Sequence, residues 1–569
     1  MAAVEFGWPM IQTSLLFLAI SALLACAGAF AAGHLTPMIS TFSFLAAAVI
    51  CVFAGKRKIA KMRREPLSVW IKLMYLVIGF GIYSHSMYLF YLKEDGHFWI
   101  QNVSNLGDLS FHWNVIRNLA KGASFWPENP IFLAHRFRYP FGMDLINAMF
   151  ESLGVAIQTH LPLITMFTLF LTMASLHLAG GPLLVFAVFF SSGFYDFVSP
   201  KIWNVVQLQE NLDFKNLFLT VLITQRGVVY ALPAGLLLYH QLSNFFKSTV
   251  KPDAFEKVSL GIIWGALGIF HLHSYFIVSV YLGVLILWHG SLRTWALTIV
   301  LAIALGIPFV IGALLPDTDT VSLIHWSRGW ARPENVNYFF YWFKNFGPWL
   351  IAMAVSMSVF YRRRDWKCLF PTALAFILFA LFAHLILAPW QWDNIKLLIW
   401  CYIFGLLAIR ELLWEKRAPW FRAFVFLLFC WPGLVLFVHS LPQYTRGASW
   451  VSERELNKAM VLMRGRDVNA GLLINPTYDH PALLLGYKLY MGYPGHVWSH
   501  GYNYTGRDAL LTSYFMGDKA GTLGLPKGQV GLVYRGPLEK RREKEGYTTK
   551  GLSKVAEALD HELYLVNEN

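Results

Sequence analysis

Charge is scarce in this chain. Only 14% of its 569 residues are Asp, Glu, Lys or Arg, while 56% are hydrophobic and 16% aromatic, and the mean hydropathy is +0.47. A soluble globule carries roughly 25% charged residues, so an ordinary water-soluble protein is excluded. Cysteine is also sparse: Cys26, Cys51, Cys368, Cys401 and Cys430 all fall in or beside apolar runs. That placement excludes a disulfide framework and a thiolate zinc site. Closely spaced acids of the kind that hold a metal are missing, and so is the internal duplication common in transporters. The 47 basic residues outnumber 33 acidic ones, for a net charge of +14, but this does not point to nucleic acid. Much of the excess lies in short loops between apolar runs, where membrane orientation and anionic lipid account for it, and no nucleic-acid motif accompanies it.

What is present is a succession of apolar runs from near Met10 to about Ser440. About 13 of them approach the length that crosses a hydrocarbon core of roughly 30 Å. The first lacks a charged start and a small-residue cleavage site, and another follows closely, so it is read as retained. Basic residues mark alternate connections. Lys56, Arg57, Lys58, Lys61, Arg63 and Arg64 follow the second run, Lys247, Lys251 and Lys257 the sixth, and Arg293 the eighth; Arg362, Arg363, Arg364 and Lys367 follow the tenth, and Arg410, Lys416, Arg417 and Arg422 the twelfth. With the N-terminus inside, all of these are cytoplasmic. The expected organisation is an all-α polytopic membrane domain over 1–440 with a large first outer loop at 93–160, then an extracytoplasmic α/β domain over 441–569. In that domain Leu456, Met460 and Met463 keep a helical register after Glu453. Gly471 to Ile474, Leu483 to Leu485 and Gly531 to Tyr534 read as short strands bounded by turn residues.

The first outer loop contains GDLSFHWNVIRNLAKGASFWPENPIFLAHRFRYPFGMDL. Leu109, Trp113, Ile116 and Ala120 share one helical face, and Asp108 and His112 lie one turn apart on another. The pattern predicts a helix lying flat on lipid headgroups with its acid toward water. A carboxylate so placed is suited to take a proton from an attacking hydroxyl. Arg136 and Arg138, flanking the turn that leads to Tyr139, suit a phosphate, a carboxylated sugar or an ion pair with Glu128. Asp144 can assist Asp108, share a divalent ion with it, or cap the next helix. Arg226 lies within apolar sequence and requires a partner or a polar cavity. His271 and His273, at a break between two runs, suit either internal hydrogen bonding or substrate contact. Lys396, where PWQWDNIK opens a span, can grip a phosphate at headgroup depth, reach for the interface, or pair with Asp393. His496 and His500, four apart in a segment dense in glycine and aromatics, suggest an anchored surface loop or a sugar-contacting lid.

Taken together, Asp108, His112, Arg117, Gly122, Trp126 and the RYPFGMD stretch from Arg138 to Asp144, in a chain with this many spans, resemble the GT-C glycosyltransferases. In architecture the chain is most similar to the lipid A aminoarabinose transferases and the protein O-mannosyltransferases. Those relatives carry Asp-Glu where this chain has Asp108-Leu109, so acceptor type does not carry over. The resemblance implies a GT-C fold in a bacterial inner membrane, with the C-terminal domain periplasmic. It also implies transfer of a sugar from a polyprenyl-phosphate donor to a hydroxyl of a glycolipid, polysaccharide or protein acceptor. Asp108 would be the general base of an inverting reaction, and the departing phosphate would need cations rather than an acid. No obligatory metal is expected, with a divalent cation as an open option. Two other readings stand beside this one: a polymerase or ligase of the O-antigen type using a diphosphate-linked glycan, and a lipid-linked sugar transporter or flippase.

Overall fold

The computed structural model describes residues 7–55, 67–193, 212–248, 251–415, 417–441, 447–518, 523 and 530–566; Lys56, Arg57, Lys58, Lys61, Arg63, Arg64 and Lys416 lie outside them. The described chain is mostly helical with small sheets. Apolar sequence makes these helices because a helix satisfies its own backbone and leaves only side chains to face lipid. Trp8–Ala32, Ile157–Phe189, Leu292–Leu314 and Pro419–Ser440 are long and apolar enough to cross a membrane, while Pro37–Phe53, Leu272–Trp288 and Trp366–Phe382 are apolar but shorter. Ile157–Phe189 is two helices joined at Gly181, where φ is 66°. The apolar faces point outward. Val300, Ile303, Ile307, Ile311 and Leu314 are exposed at steps of three and four residues along one helix, as are Met38, Phe42, Leu45, Val49 and Val52 along another. Such contiguous faces suit a bilayer rather than water. By contrast, Ile395–Leu413 is buried along nearly all its length and forms the centre of the bundle.

The two ends of the helical body differ. At one, Lys247, Lys367, Arg410 and Glu411 gather around His240, His289 and Cys368. At the other, segments far apart in sequence interlock. Arg136 N donates to Asp317 Oδ2 at 3.1 Å, Asn503 N to Asp319 O at 2.6 Å, and His325–Trp326 pairs with Leu385–Ile386. The segments that the basic-residue pattern assigns to one side therefore meet at one end.

The C-terminal region is α/β. Glu453–Met463 is a helix, as its register predicts. Gly471–Leu473, Val530–Arg535, His561–Leu565 and Ser553–Ala558 form a four-stranded sheet in that order, the first pair parallel and the others antiparallel. Leu483 to Leu485 is not a strand. Pro481 opens the short helix Pro481–Leu484, and the His480 side chain accepts from Ala482 N at 3.1 Å, so a helical start outweighs the local run of leucine. The domain is sewn to the first outer loop: Ala448–Ser452 pairs with His97–Ile100, which pairs in turn with Tyr91–Leu92.

Candidate functional site

A 3-10 turn, Val103–Asn105, leads into the helix Leu106–Ala120 and sets Asp108 in its first turn, where unpaired backbone N–H groups favour a negative charge. The helix does not lie on headgroups. Its residues from Leu109 through Ile116 are buried, because the C-terminal domain closes over the face expected to meet water. Asn114 Nδ2 donates to Leu483 O at 2.7 Å, Asn118 Nδ2 to Gly486 O at 2.9 Å, Lys121 Nζ to Leu485 O at 2.7 Å, and Trp450 Nε1 to Ser110 Oγ at 2.7 Å. The amphipathic pattern is real, but protein takes the place assigned to solvent and lipid.

Asp108 itself is half-buried, and Gln225 Nε2 donates to its Oδ2 at 3.3 Å. Loss of water pushes its carboxyl up to about 6; His112 and Lys396 pull against that rise, and Asp393 adds to it. Asp144 does not cap. The cap position of Gly142–Ser152 falls on Phe141, and the buried Asp144 accepts from His112 Nδ1 at 2.8 Å through Oδ2, while Oδ1 lies 3.5 Å from Arg226 Nε. This pairing meets the demand that a buried guanidinium makes. It also commits Asp144, so the two acids are not a ready-made cation site. Gly227 is what allows the approach: a Cβ there would stand 1.9 Å from the Phe270 carbonyl oxygen, so any larger residue would push the segment carrying Gln225 and Arg226 away from His271.

Lys396 is buried, 3.1 Å from Asp393 Oδ1. It is therefore not reaching into an interface. Its position is fixed by Asn394, whose Oδ1 accepts from Leu387 N at 2.9 Å while Nδ2 donates to Phe382 O at 2.7 Å and Leu385 O at 2.8 Å. Lys396 lies within electrostatic reach of Asp108, His271, His273 and His500, and so is their common neighbour. His271 Nδ1 accepts from Ser274 N at 3.2 Å and meets Ser274 Oγ at 2.7 Å; the ring proton then sits on Nε2, which has no partner.

Four buried imidazole nitrogens of this cluster have no hydrogen-bond partner in the protein: His271 Nε2, His273 Nε2, His496 Nδ1 and His500 Nδ1. Buried polar groups are nearly always paired, so these nitrogens, gathered near Asp108 and Lys396, are open to a polar ligand. Tyr139 joins them, with its ring centroid 5.7 Å from His112 and 4.9 Å from His500. The arginines of the same turn do not. Arg138 Nε donates to Ala313 O at 2.7 Å and its Nη1 to Gly501 O at 3.1 Å, so it ties loops together. Arg136 is exposed, and Glu128 pairs with Lys488 at 2.8 Å instead. His496 and His500, whose i, i+4 spacing left a surface loop and a sugar-contacting lid both open, lie against the helix that carries Asp108. Among the described residues, Glu455, Asp560 and His561 come close enough together to share an ion, but Lys458 lies 2.5 Å from Asp560 and 3.1 Å from Glu455, and His561 Nε2 contacts Glu455 at 2.6 Å. No protein-family model matches the chain, and no curated protein matches it.

Proposed function

We propose that the protein is an integral membrane glycosyltransferase of the GT-C kind, moving a sugar from a polyprenyl-phosphate carrier to an acceptor hydroxyl at the outer leaflet or in the periplasm. The observation that carries this reading is Asp108: a half-buried carboxylate raised to about 6, with Lys396 as a buried cationic neighbour and unpartnered imidazoles around it. A base is most useful when its pKa lies near the working pH. Asp108 takes the hydroxyl proton as the acceptor oxygen forms its bond to the anomeric carbon. The bond from that carbon to the phosphate oxygen breaks, its electron pair leaves with the lipid phosphate, and the configuration inverts. Lys396 has three N–H donors, of which Asp393 engages one, so the others are free for phosphate oxygens. In this reading the chain crosses a bacterial inner membrane about 13 times, its N-terminus is cytoplasmic, and the end bearing Asp108 faces the periplasm.

The test is turnover in proteoliposomes. Given a polyprenyl-phosphate monosaccharide, the protein releases free polyprenyl phosphate, and Asp108→Asn lowers the rate by about a hundredfold to ten-thousandfold. Full transfer by Asp108→Asn at matched protein level would end the reading and favour a polymerase or ligase using diphosphate-linked glycans. Movement of the lipid-linked sugar across the bilayer without cleavage would favour a transporter.

A further inference from the structure

The transfer reading leaves the sugar unassigned, and the wall opposite Asp108 bears on it. The C-terminal domain lays the short helix Pro494–Ser499 and the following His500 against the first turns of Leu106–Ala120. His500 stands 4.5 Å from the Phe111 ring and 4.9 Å from Tyr139; His496 stands 5.7 Å from Phe111, and the two imidazoles are within 12° of parallel. Gly107 makes room, since a Cβ there would lie 3.1 Å from His496 Nε2. Side chains of these types suit carbohydrate, rings meeting C–H groups and ring nitrogens meeting hydroxyls. Both Nδ1 atoms are buried without a partner. Either tautomer is served by a hydroxyl, which both donates and accepts.

Resting on the transfer reading, we propose that Phe111, Tyr139, His496 and His500 form the subsite for the transferred sugar ring, and that this subsite takes an uncharged sugar. The surrounding charges are already committed. Arg226 pairs with Asp144, Lys396 pairs with Asp393 and gives its remaining donors to the carrier phosphate in the transfer reading, and Asp108 is the base. An amino sugar would need a spare carboxylate and a uronate a spare cation, and this wall supplies neither. Burial holds His496 down to about 4 and His500 well below its ordinary value, so both imidazoles are neutral at physiological pH.

The proteoliposome assay tests this with three donors on the same polyprenyl phosphate: a neutral hexose, an amino sugar and a uronate. The neutral donor is expected to exceed each charged one in kcat/KM by about tenfold or more, the worth of leaving one buried charge unpaired. His496→Ala and His500→Ala each lower kcat/KM for the neutral donor by about tenfold, as loss of one hydrogen-bond partner predicts. His496→Gln and His500→Gln, which keep a polar group in place, recover part of it, with thermal unfolding midpoints measured for all four variants. A charged donor used as well as the neutral one overturns the proposal, as do Ala variants that unfold normally with kcat/KM unchanged. Failure of the wild-type protein to use any lipid-linked monosaccharide would instead defeat the transfer reading, and this inference with it.

Discussion

At the scale of single residues, the account rests on a carboxylate held where its charge is poorly solvated. If Asp108 is the base, the transfer rate rises with pH through about 6 and levels above it, whereas a carboxyl at its ordinary 3.8 would leave the rate flat across that range. The neighbours set the direction of two further shifts. Asp393→Asn removes a charge that raises Asp108 and moves the midpoint of the rate profile down; Lys396→Met removes one that lowers it and moves the midpoint up. Initial rates between pH 4.5 and about 8.5 check all three, since the window brackets the raised pKa. Stability carries a matching sign. The folded carboxyl binds its proton more tightly than the unfolded one, so the stability it contributes is present below about 3.8 and lost as pH rises through about 6. Asp108→Asn should therefore unfold at a higher temperature than wild type at pH 8, with the difference shrinking toward pH 4. Asp108 was legible in the sequence because an acid heading an amphipathic run is a local pattern. Lys396 was legible as a cation opening a span, but its nearness to Asp108 was not, and Gln225 was not legible at all, because nothing local joins either to the acid.

At the scale of elements, the helix Leu106–Ala120 was legible as a helix but not in its surroundings. Hydrophobic periodicity reports which face is apolar, and both lipid and a folded domain satisfy that pattern. What covers the other face is decided by Asn114 and Asn118 finding backbone carbonyls at Leu483 and Gly486. Replacing Asn118 by Leu should strand the Gly486 carbonyl at a cost of about 1–3 kcal/mol, visible as faster hydrogen exchange across 481–488 with the transmembrane helices unaffected. The helix Gly142–Ser152 is held differently, by the buried contact from Asp144 to Arg226. Arg226→Met leaves that carboxylate unpaired, at about 3–5 kcal/mol. The double variant Arg226→Met/Asp144→Leu should recover most of the loss in a thermal unfolding series, and failure to recover would mean that the pair does more than compensate itself. The misread stretch at Leu483 to Leu485 has a comparable cause: three leucines carry no period, so Pro481 and the His480 cap decided the outcome.

At the scale of the whole molecule, six stretches of chain around residues 107–112, 139–144, 225–227, 271–274, 393–396 and 496–500 supply the site. The segments that the spacing of basic loops assigns to one side do meet at one end of the helical body. That spacing says nothing of which side chains face one another, since that depends on helix packing that hydropathy does not record. The C-terminal domain therefore lines the candidate site: it contributes His496 and His500 and pairs Ala448–Ser452 with the loop strand His97–Ile100. Removing residues 447–569 should abolish transfer even where the membrane helices still insert, which a protease-protection assay alongside the activity assay would reveal. The most direct test of the central claim is a structure of the protein in a lipid nanodisc with a polyprenyl-phosphate monosaccharide bound. The account predicts phosphate density against Lys396 and the sugar between Asp108 and His500, with the anomeric carbon in reach of a hydroxyl held by Asp108. Phosphate density remote from Lys396, or a sugar that Asp108 does not face, would contradict it.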